Sequence, residues 1–365
     1  MTNRERTMAV LNYESYDRMP IVHFGYWPET LDKWANEGHI TREEADTWHD
    51  GSASDKTIAK KLGFDFNWQP SYLPSTGLNP QFESKVLEEL PDGSKKILTG
   101  KGLIVLEKEG AGSIPADVGR LLHERKDWEE LYLPRLQFSA DRVNKTALAA
   151  MDDGGPVCIH CGSLFGEIRN WMGVEGISYL YADDEDLYEE IINTVGELCY
   201  RVTENALATG IRFDYAHFWE DICFKTGPLV IPAVFEELVA PHYRRITDLL
   251  KKHGINIISL DCDGLIDSLL PIWLENGVNT MFPIEVGTWD ASIAPWREKY
   301  GKELRGVGGM NKNVFAKDYA AVDEEIERLR RLIALGGYIP CPDHRIAPDA
   351  KWDNVRYYCE KMLKL

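Results

Sequence analysis

Asp261 and Asp263, one residue apart, together with His344 far along the chain, form the strongest chemical signal in the sequence. At a strand exit, where the chain turns, both carboxylates can reach one ion. With an imidazole they make an O/O/N set suited to Zn²⁺, Mn²⁺ or Fe²⁺. Cys262, between them, is a softer alternative ligand. The competing reading is that Asp261 or Asp263 caps a helix beginning near Leu265, a common role for Asp. Other reactive types follow short apolar runs in the same manner: His23, His160, His217 with Trp219 and Glu220, Glu285, Asn311 with Lys312, and Cys341-Pro-Asp343-His344. Each alone is weak, but their convergence on strand exits marks a site. Glu220, His217 and Glu285 are the acid–base candidates. His23, Tyr26, Trp27, His160, Trp219 and Lys312 are the candidates for lining a substrate pocket. Cys158-x-x-Cys161 lacks a second pair at zinc-ribbon spacing and reads as packing. His242 sits on a helical pattern and reads as structural.

The elements that must position these residues are visible from about residue 139. Apolar runs such as Pro156-Val-Cys-Ile-His160, Asn256-Ile-Ile-Ser-Leu260 and Gly337-Tyr-Ile-Pro340 alternate with helical stretches at 186–209, 232–253, 266–275 and 319–335. This alternation predicts a parallel α/β sheet, closed as a TIM-like (β/α)8 barrel, with strands ending near Gly25, His160, Ala216, Leu260, Phe282, Gly308 and Pro340. A doubly wound open sheet is the alternative, but no Gly-rich phosphate turn follows an early strand. An N-terminal extension precedes the barrel. Residues 83–123, with a Pro-Asp-Gly turn, predict a β-hairpin insertion over one end. The chain reads as one domain, 1–365.

The net charge of −18 disfavours nucleic acid, whose binding needs clustered Lys and Arg. It also disfavours a polyanionic substrate unless Arg is concentrated in the pocket. The polar start Met1-Thr-Asn-Arg-Glu-Arg-Thr has no apolar targeting core, and no run approaches the ~20 apolar residues of a membrane span. A cytoplasmic protein is expected, its seven cysteines free. Self-association as a homodimer is left open.

Three segments resemble the uroporphyrinogen decarboxylase superfamily: Arg4-Glu-Arg with Leu11 and Asp17-Arg18-x-Pro20; Gly227-Pro-Leu-Val-Ile-Pro with Phe235 and Pro241; and His344-x-x-x-Pro348 with Asn354. The resemblance implies a barrel and two activities: decarboxylation of uroporphyrinogen, or methyl transfer to or from a corrinoid carried by a partner protein, using zinc at the barrel mouth. The decarboxylase branch carries an Arg-rich segment after Asp-Arg-x-Pro; here no Arg lies between Arg18 and Arg42. The methyltransferase branch carries His-x-Cys and a late Cys; here Asp261-x-Asp263, or Cys262, and His344 stand in those places. The implied site is oxygen-rich. It suits a zinc-dependent O-demethylase-type methyltransferase acting on a small methoxylated substrate better than one acting on a thiol. A non-porphyrin decarboxylase and a non-catalytic member of the fold are the alternatives.

Overall fold

Ile257-Ile-Ser-Leu-Asp261 shows how the sheet is built. All five residues are buried, the pattern of a parallel strand covered on both faces. The computed structural model describes residues 1–69, 71–108, 115–149 and 155–365. Within them the strands are β1 (Val22–His23), β2 (Phe66–Asn67), β3 (Lys85–Glu89), β4 (Lys95–Leu98), β5 (Leu103–Glu107), β6 (Ala116–Arg120), β7 (Cys158–His160), β8 (Tyr215–Trp219), β9 (Cys223–Phe224), β10 (Gly227–Pro228), β11 (Ile257–Asp261), β12 (Thr280–Phe282), β13 (Arg305–Met310) and β14 (Tyr338–Pro342).

β7, β8, β11, β12, β13 and β14 form one parallel sheet in chain order, without the order reversal of a doubly wound fold. Amphipathic helices cross between most of these strands, among them Glu185–Leu207 after β7 and Tyr319–Ile333 before β14; the longer ones bury one stripe and leave the other in water. β1 and β2 pair in parallel and span the gap between the sheet's edges. Single bridges join them to the sheet. Tyr72 bridges Ile159 beside β7, and Tyr26 bridges Ile346 beyond β14. The closed (β/α)8 barrel therefore needs correction: six strands are laddered continuously, and the remaining arc is two short strands joined by isolated bridges. The chain between β1 and β7 is spent on helices and the insertion, so little of it lies flat enough to pair.

Register places the polar residues. His160 pairs with His217 and His217 with Ser259; two residues further on, Trp219 pairs with Asp261. Because side chains alternate along a strand, His217 and Trp219 share one face, as do Ser259 and Asp261. β8 runs three residues past its expected end at Ala216, so His217 and Trp219 lie within the strand.

The insertion is not a hairpin but a four-stranded antiparallel meander, β3-β4-β5-β6. It packs on the helix Gly166–Asp183. Its β4–β5 turn needs Gly102 at φ +87, where a Cβ would overlap the Tyr132 hydroxyl. The opening Arg motif is structural: Arg18 grips Asp65 with both guanidinium nitrogens at 2.7 and 2.6 Å, and Arg4 pairs with Asp214 beneath β8. All seven cysteines are buried free thiols, and Cys158 and Cys161 are wholly enclosed. No described helix is long and apolar enough to cross a membrane.

Candidate active site at the strand exits

Asp261, at the end of β11, stands at the join of two features. One is a cavity of about 400 Å³ whose walls include His160, His217, Trp219, Lys101, Glu167 and Asp261. The other is a knot of acids. Asp221, Asp261 and Asp263 each offer a carboxylate oxygen, all within 4.8 Å of one another. Asp221 is aimed by its backbone: it adopts the left-handed φ of 53°, roughly 1–2 kcal/mol costly for a residue with a side chain. Its Oδ1 accepts the Asp263 amide at 3.2 Å. Gly264, at φ +84 and pressed on the Cys223 carbonyl, turns the chain after Asp263 and donates its amide to Glu285 at 2.6 Å.

Crowding of like charge shows in the acidities. Burial first, then the charges of Asp263 and Asp221, push the Asp261 carboxyl well above its ordinary value. Burial and then Asp263 raise Asp221 to about 6 and lift Glu285 as well. Asp263 Oδ1 and His344 Nδ1 are buried without a hydrogen-bond partner. Close carboxylates with unsatisfied oxygens fit a divalent cation.

The expected ligands divide. Asp261 and Asp263 come together. His344 stands one contact outside the trio, its Nε2 3.3 Å from Asp263 Oδ2. Trp27 stacks on its ring at 5.5 Å and Phe24 meets it edge-on. Cys262 leaves the set: its thiol is 3% exposed as a residue, points to the Asp263 carbonyl at 3.5 Å and is raised by burial. Neither Asp261 nor Asp263 caps a helix near Leu265, because the next helix begins at Leu270 with Leu269 at its cap.

Among the acid–base candidates, Glu220 is corrected. It is wholly buried, and its oxygens accept the amides of Leu164, Phe165 and Gly166 at 2.7, 3.0 and 2.6 Å, the Ser163 hydroxyl at 3.2 Å, and the Tyr243 hydroxyl. It clamps the start of the helix Gly166–Asp183, and no lone pair is left for a substrate. The neighbouring Asp221 takes its place at the mouth. Sequence reasoning missed Asp221 because two adjacent acids at a strand exit cannot be told apart without the backbone turn between them. His217 lines the cavity, and burial lowers its pKa to about 3, that of His160 to about 4, so both are neutral acceptors or donors there. Glu285 keeps Thr288 and Gly264 as donors and stays at the acid side.

Of the expected lining residues, His160 and Trp219 reach the cavity. His23 and Tyr26 do not. His23 is sealed against Tyr26 and Phe64, its Nδ1 accepts the Gly25 amide at 3.1 Å, and its Nε2 is 4.0 Å from Asp55. Tyr26 is wholly buried with Trp34 and Trp48 on its edges. The first strand is so short that its side chains meet the outer helices before they meet the mouth. Trp27 acts on His344. Lys312 stays near the acids: burial lowers its pKa, while Asp343, Glu285 and Asp263 pull it up. Lys101, from the meander, was missed altogether. Its turn sits in an exposed-looking stretch, and only the packing of the insertion brings it to the cavity.

No curated protein matches the chain. Among solved structures it is similar to a methyltransferase from Methanosarcina mazei, with 13% identity, a TM-score of 0.60 and coverage of 99% of this chain and 98% of that one. It is also similar to a B12-independent methionine synthase from Shewanella sp. W3-18-1 in complex with selenomethionine, with 12% identity, a TM-score of 0.50 and coverage of 95% and 98%. At such identities these matches speak for the fold alone. The model of the family described as uroporphyrinogen decarboxylase (URO-D) matches residues 110–364, and the chain belongs to that family.

Proposed function

We propose that the protein is a metal-assisted methyltransferase that takes a methyl group from an oxygen of a small substrate and passes it to a corrinoid carried by a partner protein. The observation that carries this reading is the convergence of Asp221, Asp261 and Asp263 within 4.8 Å at a mouth open to a cavity. These three residues would hold the cation, with His344 orienting Asp263. An all-oxygen set suits Mn²⁺ or Mg²⁺; zinc becomes the better guest if His344 joins it. A cation there supplies Lewis-acid polarisation of a substrate oxygen. Glu285, raised in pKa and fixed by Gly264 and Thr288, is placed to hold the proton that a departing oxygen requires. Trp219, His160 and His217 bind and orient the substrate and keep water from it.

The test is metal analysis of the purified protein, followed by methyl transfer from a panel of methoxylated compounds to cob(I)alamin. Stoichiometric divalent metal and chelator-sensitive transfer are expected. Full activity after exhaustive chelation would overturn the reading and favour a metal-free decarboxylase.

A further inference from the structure

Trp219, which lines the cavity, has two cations beside its ring and one carboxylate near them. Lys101 Nζ lies 2.6 Å from Glu167 Oε2 and 5.7 Å from the Trp219 ring centroid. Glu167 is also fixed by the Trp171 indole, which donates to Oε1 at 3.3 Å. Arg169 lies two residues further along the same helix, its guanidinium carbon also 5.7 Å from the Trp219 centroid. Among the described residues no carboxylate forms an ion pair with Arg169, and its Nε is buried without a hydrogen-bond partner. Two cations flank one indole, and one fixed carboxylate pairs with one of them; Asp221 feels the charge of Arg169 without forming an ion pair with it.

We infer that the substrate bears one carboxylate, which Arg169 receives beside Trp219 while its reacting end lies toward Asp261. The inference rests on reading this mouth as the substrate site. Three observations support the orientation. Trp219 and Asp261 are cross-strand partners, about 5 Å apart at the backbone, so one small molecule spans both ends. Acids crowd the Asp261 end and would repel an anion, whereas the Trp219 end is cationic. The neutral His160 and His217, which line the same cavity, add no charge of their own. A guanidinium matches a carboxylate with two parallel hydrogen bonds, which a neutral amide cannot reproduce. One unpaired cation takes a monoanion; a polycarboxylate would leave charges without partners. The Lys101–Glu167 pair positions the site by holding the β4–β5 turn against Trp219.

Calorimetric titration of the full chain with 4-methoxybenzoate and with 4-methoxybenzamide tests this without any methyl acceptor, so failure of methyl transfer and failure of anion recognition are separable. The acid is expected to bind at least about 10-fold tighter than the amide. Arg169→Gln should bring the two within about 3-fold of each other, and Arg169→Lys should restore part of the difference. Lys101→Gln, on the turn and outside the core, is the second variant. It should weaken the acid more than the amide, narrowing the preference. Equal binding of acid and amide to the unaltered protein, no saturable binding of the acid at millimolar concentration, or a preference that survives both Arg169→Gln and Lys101→Gln would each overturn the proposal.

Discussion

On the β7–β8 side of the mouth, His160 and His217 stand neutral beside Lys101 and Arg169, with Glu167 as the fixed carboxylate among them. At the exits of β8 and β11, Asp221, Asp261 and Asp263 crowd together, with Glu285 beside them. Both sides are built from strand exits of one sheet, and their residues are joined by register, Trp219 opposite Asp261. They differ in what satisfies them. On the basic side Glu167 pairs with Lys101, and among the described residues Arg169 forms no ion pair. On the acidic side like charges crowd: Asp263 Oδ1 lacks a donor, and burial, then the charge of Asp263, makes Asp221 and Asp261 weaker acids. An unbalanced cluster loses stability in the folded chain and regains it on binding a cation. That imbalance distinguishes a binding site from a merely polar surface.

The contrast is broken most directly at Asp263. Asp263→Asn should cut methyl transfer roughly 1000-fold and remove the rise in melting temperature on adding Mn²⁺ or Zn²⁺. It should also raise the melting temperature of chelated protein, because one like charge is gone. A chelated variant that melts lower than the parent would argue that Asp263 is a structural hydrogen-bonding residue.

Acid probes the other side. An imidazole whose folded pKa lies below its unfolded value of 6.5 disfavours the cation. The stability associated with it is whole above pH 6.5 and is lost as pH falls toward about 4 for His160 and about 3 for His217. By pH 5 the loss should be on the order of 2 kcal/mol for each. Urea melts of the parent and of a His160→Gln, His217→Gln double variant between pH 7 and 4 measure it. Parallel curves would show that the imidazoles are not the groups responsible.

Glu220 tests whether an acid at a strand exit must serve chemistry. Glu220→Gln sets an amide N–H against a cluster of donors and should cost about 3 kcal/mol of stability. Metal affinity per folded molecule should stay the same. A stable protein that has lost its metal would return Glu220 to the site.

His344→Ala should have the smallest effect. Because His344 touches only Asp263 among the acids, metal affinity is expected to fall between about 10- and 100-fold without vanishing. Complete loss in equilibrium dialysis would promote His344 to a direct ligand and make zinc the resident ion.

Much of this was legible beforehand where a local rule applies. Buried parallel strands announce themselves as short apolar runs, so β7, β11, β12 and β14 were located within a few residues, and Asp261, Asp263, His160 and His217 with them. The errors have local causes too. β8 was ended early because polar His217 inside a strand looks like an exit. Glu220 was preferred to Asp221 because a sequence shows two acids but not the φ of 53° that turns one of them outward.

The periodic elements and the kinds of group available to a site are written in the sequence, since hydrophobic period and residue chemistry act over a few neighbours. Which of those groups meet was decided only by the tertiary structure. Asp221 and Asp263 are 42 residues apart and share a hydrogen bond; Lys101 and Glu167 are 66 apart and share an ion pair. Such pairings depend on strand register and on where the meander packs. Those are set by burial of the whole core, to which no single segment holds the key.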